Sequence, residues 1–173
     1  MRVLMPGSYD PCTRGHIALI ERAVATYGEV TVAVFINPEK QGLFTYGERV
    51  RLLCLATAHL PSVDVAFSDG MVADYAKAGG YAAIVKGIRN EKDRAYEETM
   101  AAYNKERSGV PTVLLTADDG YGHISSTAVR EALATGGDLS ALLPAAILSE
   151  VRALYKKKAK KCPSPCGTDQ DVL

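Results

Sequence analysis

The chain has 173 residues, of which 20 are lysine or arginine and 20 are aspartate or glutamate, so its formal net charge is zero. Without excess charge there is no whole-molecule field to hold nucleic acid or an anionic membrane, and any phosphate site must be local. No apolar run approaches the roughly 18 residues that cross a bilayer, and the four scattered cysteines fit no disulfide framework, so we expect a soluble, cytoplasmic domain.

Short apolar runs recur along the chain, and several are too continuous for a strand with one exposed face. Runs of this length and composition are typical of buried parallel strands. The predicted strands are Val3 to Met5, Val30 to Phe35, Val63 to Phe67, Ala82 to Val85 and Thr112 to Leu115.

Helical patterns lie between these strands and after the last one. Thr45 followed by Glu48 has the spacing of a capping box, Gly136 marks a helix end, and Pro144 suits a helix start. The alternation predicts the α/β class: a doubly wound, Rossmann-like parallel sheet of five strands with helices on both faces and further helices at the C-terminal end. The predicted helices are Gly15 to Ala25, Tyr46 to Ala58, Met71 to Ala78, Glu91 to Arg107, Ser126 to Ala134 and Pro144 to about Lys158.

The composition changes near the end of the chain. From Lys156 the sequence reads KKKAKK and then CPSPCGTDQD, which is typical of a solvated, disordered tail. We therefore predict a single domain over residues 1–158 and a disordered tail over residues 159–173. Cys162 and Cys166 form a Cys-x3-Cys pair, but zinc needs two further ligands and none is near in sequence, so we expect no metal role for them.

The first chemical signal, PGSYDPCTRGH at residues 6–16, follows the first strand and opens the first helix. In an open α/β sheet, ligands bind at the carboxyl ends of the strands, where a helix N-terminus offers free N–H groups to phosphate. Gly7 and Gly15 permit close backbone approach. His16 would point a ring N–H toward the same anion, with protonation adding charge to the contact. The alternative is that the glycines shape a turn and His16 caps or packs.

A second polar segment, ISSTAVRE at residues 124–131, opens the helix predicted from Ser126. Hydroxyls at a helix start either cap the helix or bind phosphate, and the N–H groups of residues 126–128 suit the outer phosphates of a nucleotide. Capping is the better interpretation of such a run by itself. Together with the first motif, which is more than 100 residues away in the chain, the segment favours a nucleotide-binding site formed by both motifs.

These segments resemble the signature of the nucleotidylyltransferase superfamily, in which Thr13-Arg14-Gly15-His16 is similar to the (Thr/His)-x-Gly-His motif. Three intermediate segments narrow the resemblance to the phosphopantetheine adenylyltransferase family. The stretch NPEKQGLFT at residues 37–45 resembles that family's lysine-bearing loop, KGIR at residues 86–89 its Arg-Gly-Leu-Arg loop, and Tyr96-Glu97 a Tyr-Glu pair in the next helix. The similarity runs from Val3 to about Tyr155.

The resemblance implies an enzyme of coenzyme A biosynthesis. It would transfer the adenylyl group of ATP to 4'-phosphopantetheine by direct in-line attack, giving dephospho-CoA and pyrophosphate, with magnesium on the phosphates. His16 would bind the α-phosphate and stabilise the transition state, while Ser8 and Lys40 would contact the pantetheine phosphate and the reacting oxygens. Lys86 would hold the incoming phosphate. The implied catalytic residues are His16, Lys40 and Lys86; the implied ATP site comprises Ser8, Tyr9, His16, Gly87, Ile88, Arg89, Glu97, Tyr121, Gly122, His123, Ile124, Ser125, Ser126 and Thr127; the implied pantetheine site comprises Ser8, Lys40, Val72 and Lys86.

Two departures from the family pattern lie at implied site residues. Ser8 replaces a common threonine and keeps the hydroxyl, whereas Lys86 replaces a common arginine, which keeps the charge but loses the bidentate fork. The resemblance also implies a homohexamer and coenzyme A as a feedback ligand. We expect neither nucleic acid nor a membrane as a partner.

Other functions remain open at this point. Nicotinamide mononucleotide adenylyltransferases and glycerol- or choline-phosphate cytidylyltransferases share both end motifs, but the intermediate loops argue against them. A nucleotide-binding sensor without turnover would be expected to lack His16 or Lys40, and both are present. A basic nucleic-acid module rests only on residues 156–161, and neutral net charge argues against it.

Overall fold

A computed structural model describes residues 1–36, 42–116 and 120–161. Within them, strands and helices alternate as the sequence predicts, and the predicted elements agree with the observed ones to within a few residues. The strands are β1 (Arg2–Gly7), β2 (Glu29–Phe35), β3 (Val63–Ser68), β4 (Ala83–Ile88) and β5 (Thr112–Thr116); the helices are α1 (Arg14–Tyr27), α2 (Tyr46–Thr57), α3 (Val72–Ala78), α4 (Glu91–Ser108), α5 (Ser126–Thr135) and α6 (Ala145–Lys161).

The five strands form one parallel sheet in the order β3-β2-β1-β4-β5. The chain builds one half of the sheet outward from β1 to β3 and then returns to place β4 on the other side of β1. Such a reversal of direction defines the switch point of a doubly wound sheet, and the crevice at its carboxyl edge is where ligands bind. The predicted α/β fold is confirmed.

Side chains of the central strands alternate between two apolar layers, as the two-residue period of a strand requires. In β1, Val3 and Met5 face the larger layer, under α1, α2, α5 and α6, while Leu4 faces the smaller one with α3. In β4, Val85 faces the larger layer and Ile84 faces the smaller one. Burial on both faces explains why these strands read as continuous apolar runs rather than alternating ones.

The start of α2 shows how local sequence fixes an element. The Thr45 hydroxyl accepts the Glu48 backbone N–H at 3.3 Å, and Glu48 Oε2 accepts the Thr45 N–H at 2.7 Å, which is the predicted capping box. Lys158 of α6 lies 2.8 Å from the same Glu48 oxygen, so the C-terminal helix braces this cap.

We expect Thr45→Ala to lower the free energy of unfolding by about 1 kcal/mol, because the Glu48 N–H loses its acceptor. Thr45→Ser is the matched control, since its hydroxyl can make the same bond. Urea unfolding of the three proteins at neutral pH measures the difference. Equal stability of Thr45→Ala and the unchanged chain would contradict this account of the helix start.

The C-terminal helix departs from its predicted length. It begins at Ala145, after Pro144, and continues to Lys161, past the predicted end at Lys158. The predicted disordered tail otherwise falls on residues 162–173, which lie outside the described residues, and the single-domain boundary at residue 158 stays a prediction. In the part of the chain that the structure describes, no helix is long and apolar enough to span a bilayer.

Candidate active site

A cavity of about 610 Å³ opens at the carboxyl edge of the sheet, where β1 and β4 separate. Its size falls in the range of about 300 to 1,000 Å³ that is usual for small-molecule sites. Backbone from the ends of β1 and β4 forms its floor, and the first turns of α1 and α5 form its walls. The residues of the predicted site that line it are Ser8, Tyr9, His16, Lys86, Gly87, Arg89, Glu97, Tyr121, Ile124, Ser125, Ser126 and Thr127.

The loop after β1 is held in a tight, unusual conformation. Tyr9 has a positive φ of 44°, which costs a non-glycine residue free energy and persists only where surrounding contacts fix it. The Tyr9 hydroxyl donates to the Met5 carbonyl at 3.1 Å beneath the loop. A Cβ at Gly7 would lie 2.8 Å from the Tyr9 ring, so only glycine fits above it. The ring of Tyr9 is therefore a packing element under the cavity floor.

One ring nitrogen of His16 caps the start of α1, and the rest of the ring lines the cavity. Its Nδ1 accepts the Thr13 backbone N–H at 3.0 Å, and the backbone N–H of His16 donates to the Thr13 hydroxyl at 3.3 Å. Because Nδ1 is an acceptor, the ring proton of neutral His16 lies on Nε2. The capping and phosphate-binding interpretations of His16 are therefore compatible: capping by Nδ1 orients an Nε2–H donor at the cavity wall.

The His16 ring is neutral near neutral pH. Burial, together with the positive charge of Arg89, lowers the pKa of His16 from 6.5 to about 4. A ring between a cationic neighbour and a poorly solvated wall resists a second proton, whereas the expectation that protonation adds charge to a phosphate contact concerns the bound state and stays a prediction. In the ligand-free protein His16 is a neutral hydrogen-bond donor.

The lowered pKa predicts a dependence of stability on pH. In the unfolded chain His16 takes up a proton near its ordinary pKa of 6.5, and in the folded chain only near 4. Between these values the unfolded state binds more protons, so the contribution of His16 to stability is present above about pH 6.5 and is lost as the pH falls toward 4. Because the ring is partly open to the cavity, we expect a loss of at most about 2 kcal/mol.

Urea unfolding at pH 7 and pH 4.5 tests this expectation. The fall in stability between the two pH values should be smaller for His16→Gln than for the unchanged chain. His123→Gln is the matched control, since that histidine is exposed and its removal should leave the fall unchanged. Equal falls in all three proteins would contradict a depressed pKa for His16.

Two cations on the β4 side of the cavity are held by carboxylates of α4. Lys86 Nζ lies 3.2 Å from Glu97 Oε1, and Arg89 Nε donates to Asp93 Oδ2 at 2.9 Å. Both ion pairs border the cavity. The paired carboxylates orient the cations, and an incoming phosphate would compete with those carboxylates for them.

Two serine hydroxyls at the start of α5 form hydrogen bonds within the protein. Ser125 Oγ accepts the Ala128 N–H at 3.1 Å, so the capping interpretation holds for Ser125. Ser126 Oγ donates to the Pro11 carbonyl at 2.8 Å, which joins α5 to the loop after β1. By helix geometry the first N–H groups of α5, at Ser126 and Thr127, have no intrahelical acceptor, and they are available to an anion in the cavity.

Comparison with known proteins agrees with this geometry. A family model described as Cytidylyltransferase-like matches residues 4–132. A phosphopantetheine adenylyltransferase of Corynebacterium efficiens is 44% identical over 159 residues, covering 91% of this chain and 100% of the relative. The protein of that name from Thermobifida fusca is 43% identical over 160 residues, covering 92% of this chain and 98% of the relative. The chain belongs to the phosphopantetheine adenylyltransferase family.

A solved structure shows the same fold at much greater sequence distance. A protein of Vibrio parahaemolyticus, provisionally assigned as a nicotinate-nucleotide adenylyltransferase, superposes with a TM-score of 0.64 over 90% of this chain and 95% of its own, at 16% identity. At that identity the likeness supports the Rossmann-like fold. The predicted resemblance to the phosphopantetheine adenylyltransferase family is confirmed by the two relatives above.

Some residues that the family resemblance implies lie away from the cavity wall. Ile88 is buried in the sheet, and Val72 packs against the smaller apolar layer. Gly122 and His123 are exposed on the turn that ends where the Ile124 N–H bonds to the Tyr121 carbonyl. Lys40 lies outside the described residues. The binding roles of these five residues stay predictions, as do those of the predicted residues that line the cavity.

Several residues that line the cavity were absent from the predicted site, among them Asp10, Arg49 and Arg130. Asp10 and Arg49 form an ion pair of 3.3 Å, both about 5% exposed, and Arg130 donates to the Asp10 carbonyl at 2.8 Å. All three line the cavity. Asp10 and Arg130 stand inside the two motifs that the sequence singled out, but nothing in the sequence shows that Arg49 meets Asp10.

The carboxylates at the cavity indicate how a magnesium ion could be accommodated. Asp10, Asp93 and Glu97 are each paired with a cation. Among the described residues, no group of three or more histidine, cysteine or acidic side chains is placed to hold a metal. Magnesium is usually bound through substrate phosphates with one or two carboxylates. The donor set in this family member suits an ion that arrives on the nucleotide rather than one held by the protein alone.

Proposed function

We propose that the chain transfers the adenylyl group of ATP to 4'-phosphopantetheine, giving dephospho-CoA and pyrophosphate. The observation that carries this proposal is identity of 42 to 44% with relatives named phosphopantetheine adenylyltransferase over nearly the whole chain. The cavity supports it, because donors from β1, α1, β4 and α5 surround one space large enough for a nucleotide. The reaction belongs to coenzyme A biosynthesis.

The reaction needs no covalent enzyme intermediate. A phosphate oxygen of the acceptor attacks the α-phosphorus of ATP, and the bond from that phosphorus to the bridging oxygen breaks, so that pyrophosphate leaves with the electron pair. The attacking phosphate is already anionic near neutral pH, so a general base adds little. The barrier lies in bringing two polyanions together in line, and cations and oriented donors lower it.

The described residues supply those groups in the following way. His16 donates its Nε2–H to an α-phosphate oxygen, where negative charge grows in the transition state. Lys86, freed from Glu97, holds the acceptor phosphate, and Ser8 lies exposed at the end of β1 beside it. The N-terminus of α5 receives the departing pyrophosphate. We assign Lys40 to the acceptor phosphate on the family resemblance alone.

Magnesium enters this scheme as part of the substrate. The ion would neutralise charge on the β- and γ-phosphates of ATP. The family resemblance also supports a cytoplasmic homohexamer with coenzyme A as a feedback ligand. Mass measurement in solution and inhibition by coenzyme A test the last two proposals separately from the chemistry.

Pyrophosphate release tests the proposed function. The full chain, ATP and magnesium are combined with 4'-phosphopantetheine, with nicotinamide mononucleotide run in parallel and glycerol phosphate run with CTP. Release with 4'-phosphopantetheine alone is the expected result. Release with another acceptor would keep the mechanism and change the substrate, and binding of ATP without release in any mixture would favour a sensor.

A further inference from the structure

The carboxylate of Asp10 lies at the junction of two chain segments that border the cavity. Its Oδ2 accepts the Leu43 N–H at 2.8 Å, and its Oδ1 accepts the Phe44 N–H at 2.8 Å. Arg49 Nε lies 3.3 Å from Oδ1. Both oxygens of a buried carboxylate are thus used to hold the segment that leads into α2 against the loop after β1.

Arg49 completes the same junction from the other side. Its Nε donates to the Phe44 carbonyl at 2.8 Å, and its Nη1 donates to the Ser8 carbonyl at 3.3 Å. The guanidinium also fills the space beside Gly42, where a Cβ would overlap Nη2. The ion pair therefore fixes Ser8, on one segment, relative to residues 42–44 on the other.

The nucleotide side of the loop after β1 is held differently. Arg130 Nη1 donates to the Asp10 backbone carbonyl at 2.8 Å and lies 4.0 Å from Asp10 Oδ2, beyond hydrogen-bond distance, and Ser126 donates to the Pro11 backbone carbonyl. His16 is oriented by Thr13. A change confined to the Asp10 side chain leaves all of these acceptors in place, so its effect should fall on the side of the cavity that contains Ser8 and Gly42.

We propose that Asp10 is a positioning residue for the acceptor side of the cavity, acting through Arg49 and the backbone of residues 42–44. The assignment of that side to the acceptor phosphate rests on the proposed function. The buried carboxylate sets the distance between Ser8 and Gly42, and with it the place where the acceptor phosphate is held. It does not touch the reacting atoms.

The test uses Asp10→Asn, which keeps the shape of the side chain but puts an amide NH2 where one of two backbone N–H groups needs an acceptor. We expect kcat/KM for 4'-phosphopantetheine to fall about tenfold or more, because displacement of a positioning group by about 1 Å costs up to about a hundredfold. The KM for ATP should change much less, because Ser8 is also an implied ATP contact but the hydrogen bonds that hold Ser126 and His16 do not involve the Asp10 side chain. Glu21→Gln, which alters an exposed contact with His59, is the control for a surface carboxylate.

A double variant separates positioning from stability. Asp10→Asn leaves Arg49 as an unpaired buried charge, which destabilises the fold, whereas Asp10→Asn with Arg49→Met removes that charge. We expect the double variant to recover thermal stability but not kcat/KM for the acceptor. Amide hydrogen exchange at Leu43 and Phe44 should be faster in both variants than in the unchanged chain.

Three results would overturn the inference. These are equal losses for both substrates in Asp10→Asn, full recovery of activity in the double variant, or unchanged exchange at Leu43 and Phe44. If the unchanged chain releases no pyrophosphate with any acceptor, the proposed function fails, and amide exchange alone decides whether Asp10 positions the segment.

Discussion

We expect His16→Ala to lower kcat for pyrophosphate release by about a hundredfold or more, with little change in the affinity for ATP. In the proposed mechanism the Nε2–H of the neutral ring donates to the α-phosphate, and removing one preorganised donor typically costs about 3 kcal/mol of transition-state stabilisation. The structure orients the donor through Nδ1, which is occupied by the Thr13 N–H. Turnover at saturating ATP and 4'-phosphopantetheine measures the loss.

His16→Gln is the matched control for the second role of this ring. Glutamine three residues after a threonine N-cap can close a capping box, so this variant should retain the start of α1. It lacks the ring nitrogen that faces the cavity. We therefore expect it to keep more stability than His16→Ala and to lose a comparable amount of turnover. Turnover of His16→Ala within a few-fold of the unchanged chain, with the fold intact, would refute the catalytic role.

The second large effect is expected at Lys86. Lys86→Met keeps most of the aliphatic stem but removes the only charge that Glu97 contacts in the described part of the structure. If Lys86 holds the acceptor phosphate as we propose, loss of this cation should lower kcat/KM for 4'-phosphopantetheine by about a hundredfold. Steady-state kinetics with the acceptor varied at saturating ATP measures this effect.

Two further variants separate charge from packing at this position. Lys86→Arg should retain most activity, since it keeps a cation at the same position. Lys86→Met combined with Glu97→Gln removes the unpaired carboxylate, so it should recover stability without recovering activity. Equal activity of Lys86→Met and Lys86→Arg would show that the charge of Lys86 does not serve the reaction.

Much of the fold was predictable because its determinants are local. Strands buried on both faces read as continuous apolar runs, as in β1 and β4, and the α2 start is encoded by Thr45 and Glu48. The parallel α/β class followed from the alternation of these elements. The length of α6 was underestimated because a run of lysines suits an exposed helix end as well as a tail.

The candidate site was predictable only in part. The motifs at residues 6–16 and 124–131 indicated a nucleotide-binding site, and the structure brings residues of both motifs to one cavity. Sequence could not show that His16 divides its two nitrogens between a helix cap and the cavity, or that burial keeps the ring neutral. Nor could it pair Asp10 with Arg49, because that contact depends on how two loops meet at the sheet edge.

The short ladder between β1 and β4 has a consequence for how the protein assembles. β1 is paired with β2 from Arg2 to Gly7, but with β4 only at Val3 and Leu4. The loop-closure entropy of the second pairing is larger, because β4 is far from β1 in the chain. We therefore expect the β1-β2-β3 half to form first and β4-β5 to join it late.

Neither half contains the whole cavity, so nucleotide can bind only after the two halves have joined. Bound ATP should then stabilise the contact between the two halves. It should slow unfolding markedly and accelerate folding little, since a ligand that binds only the native state stabilises that state and not the folding transition state. Stopped-flow unfolding and refolding with and without ATP would show this asymmetry. Acceleration of folding by ATP would mean instead that the crevice is already built at the rate-limiting step.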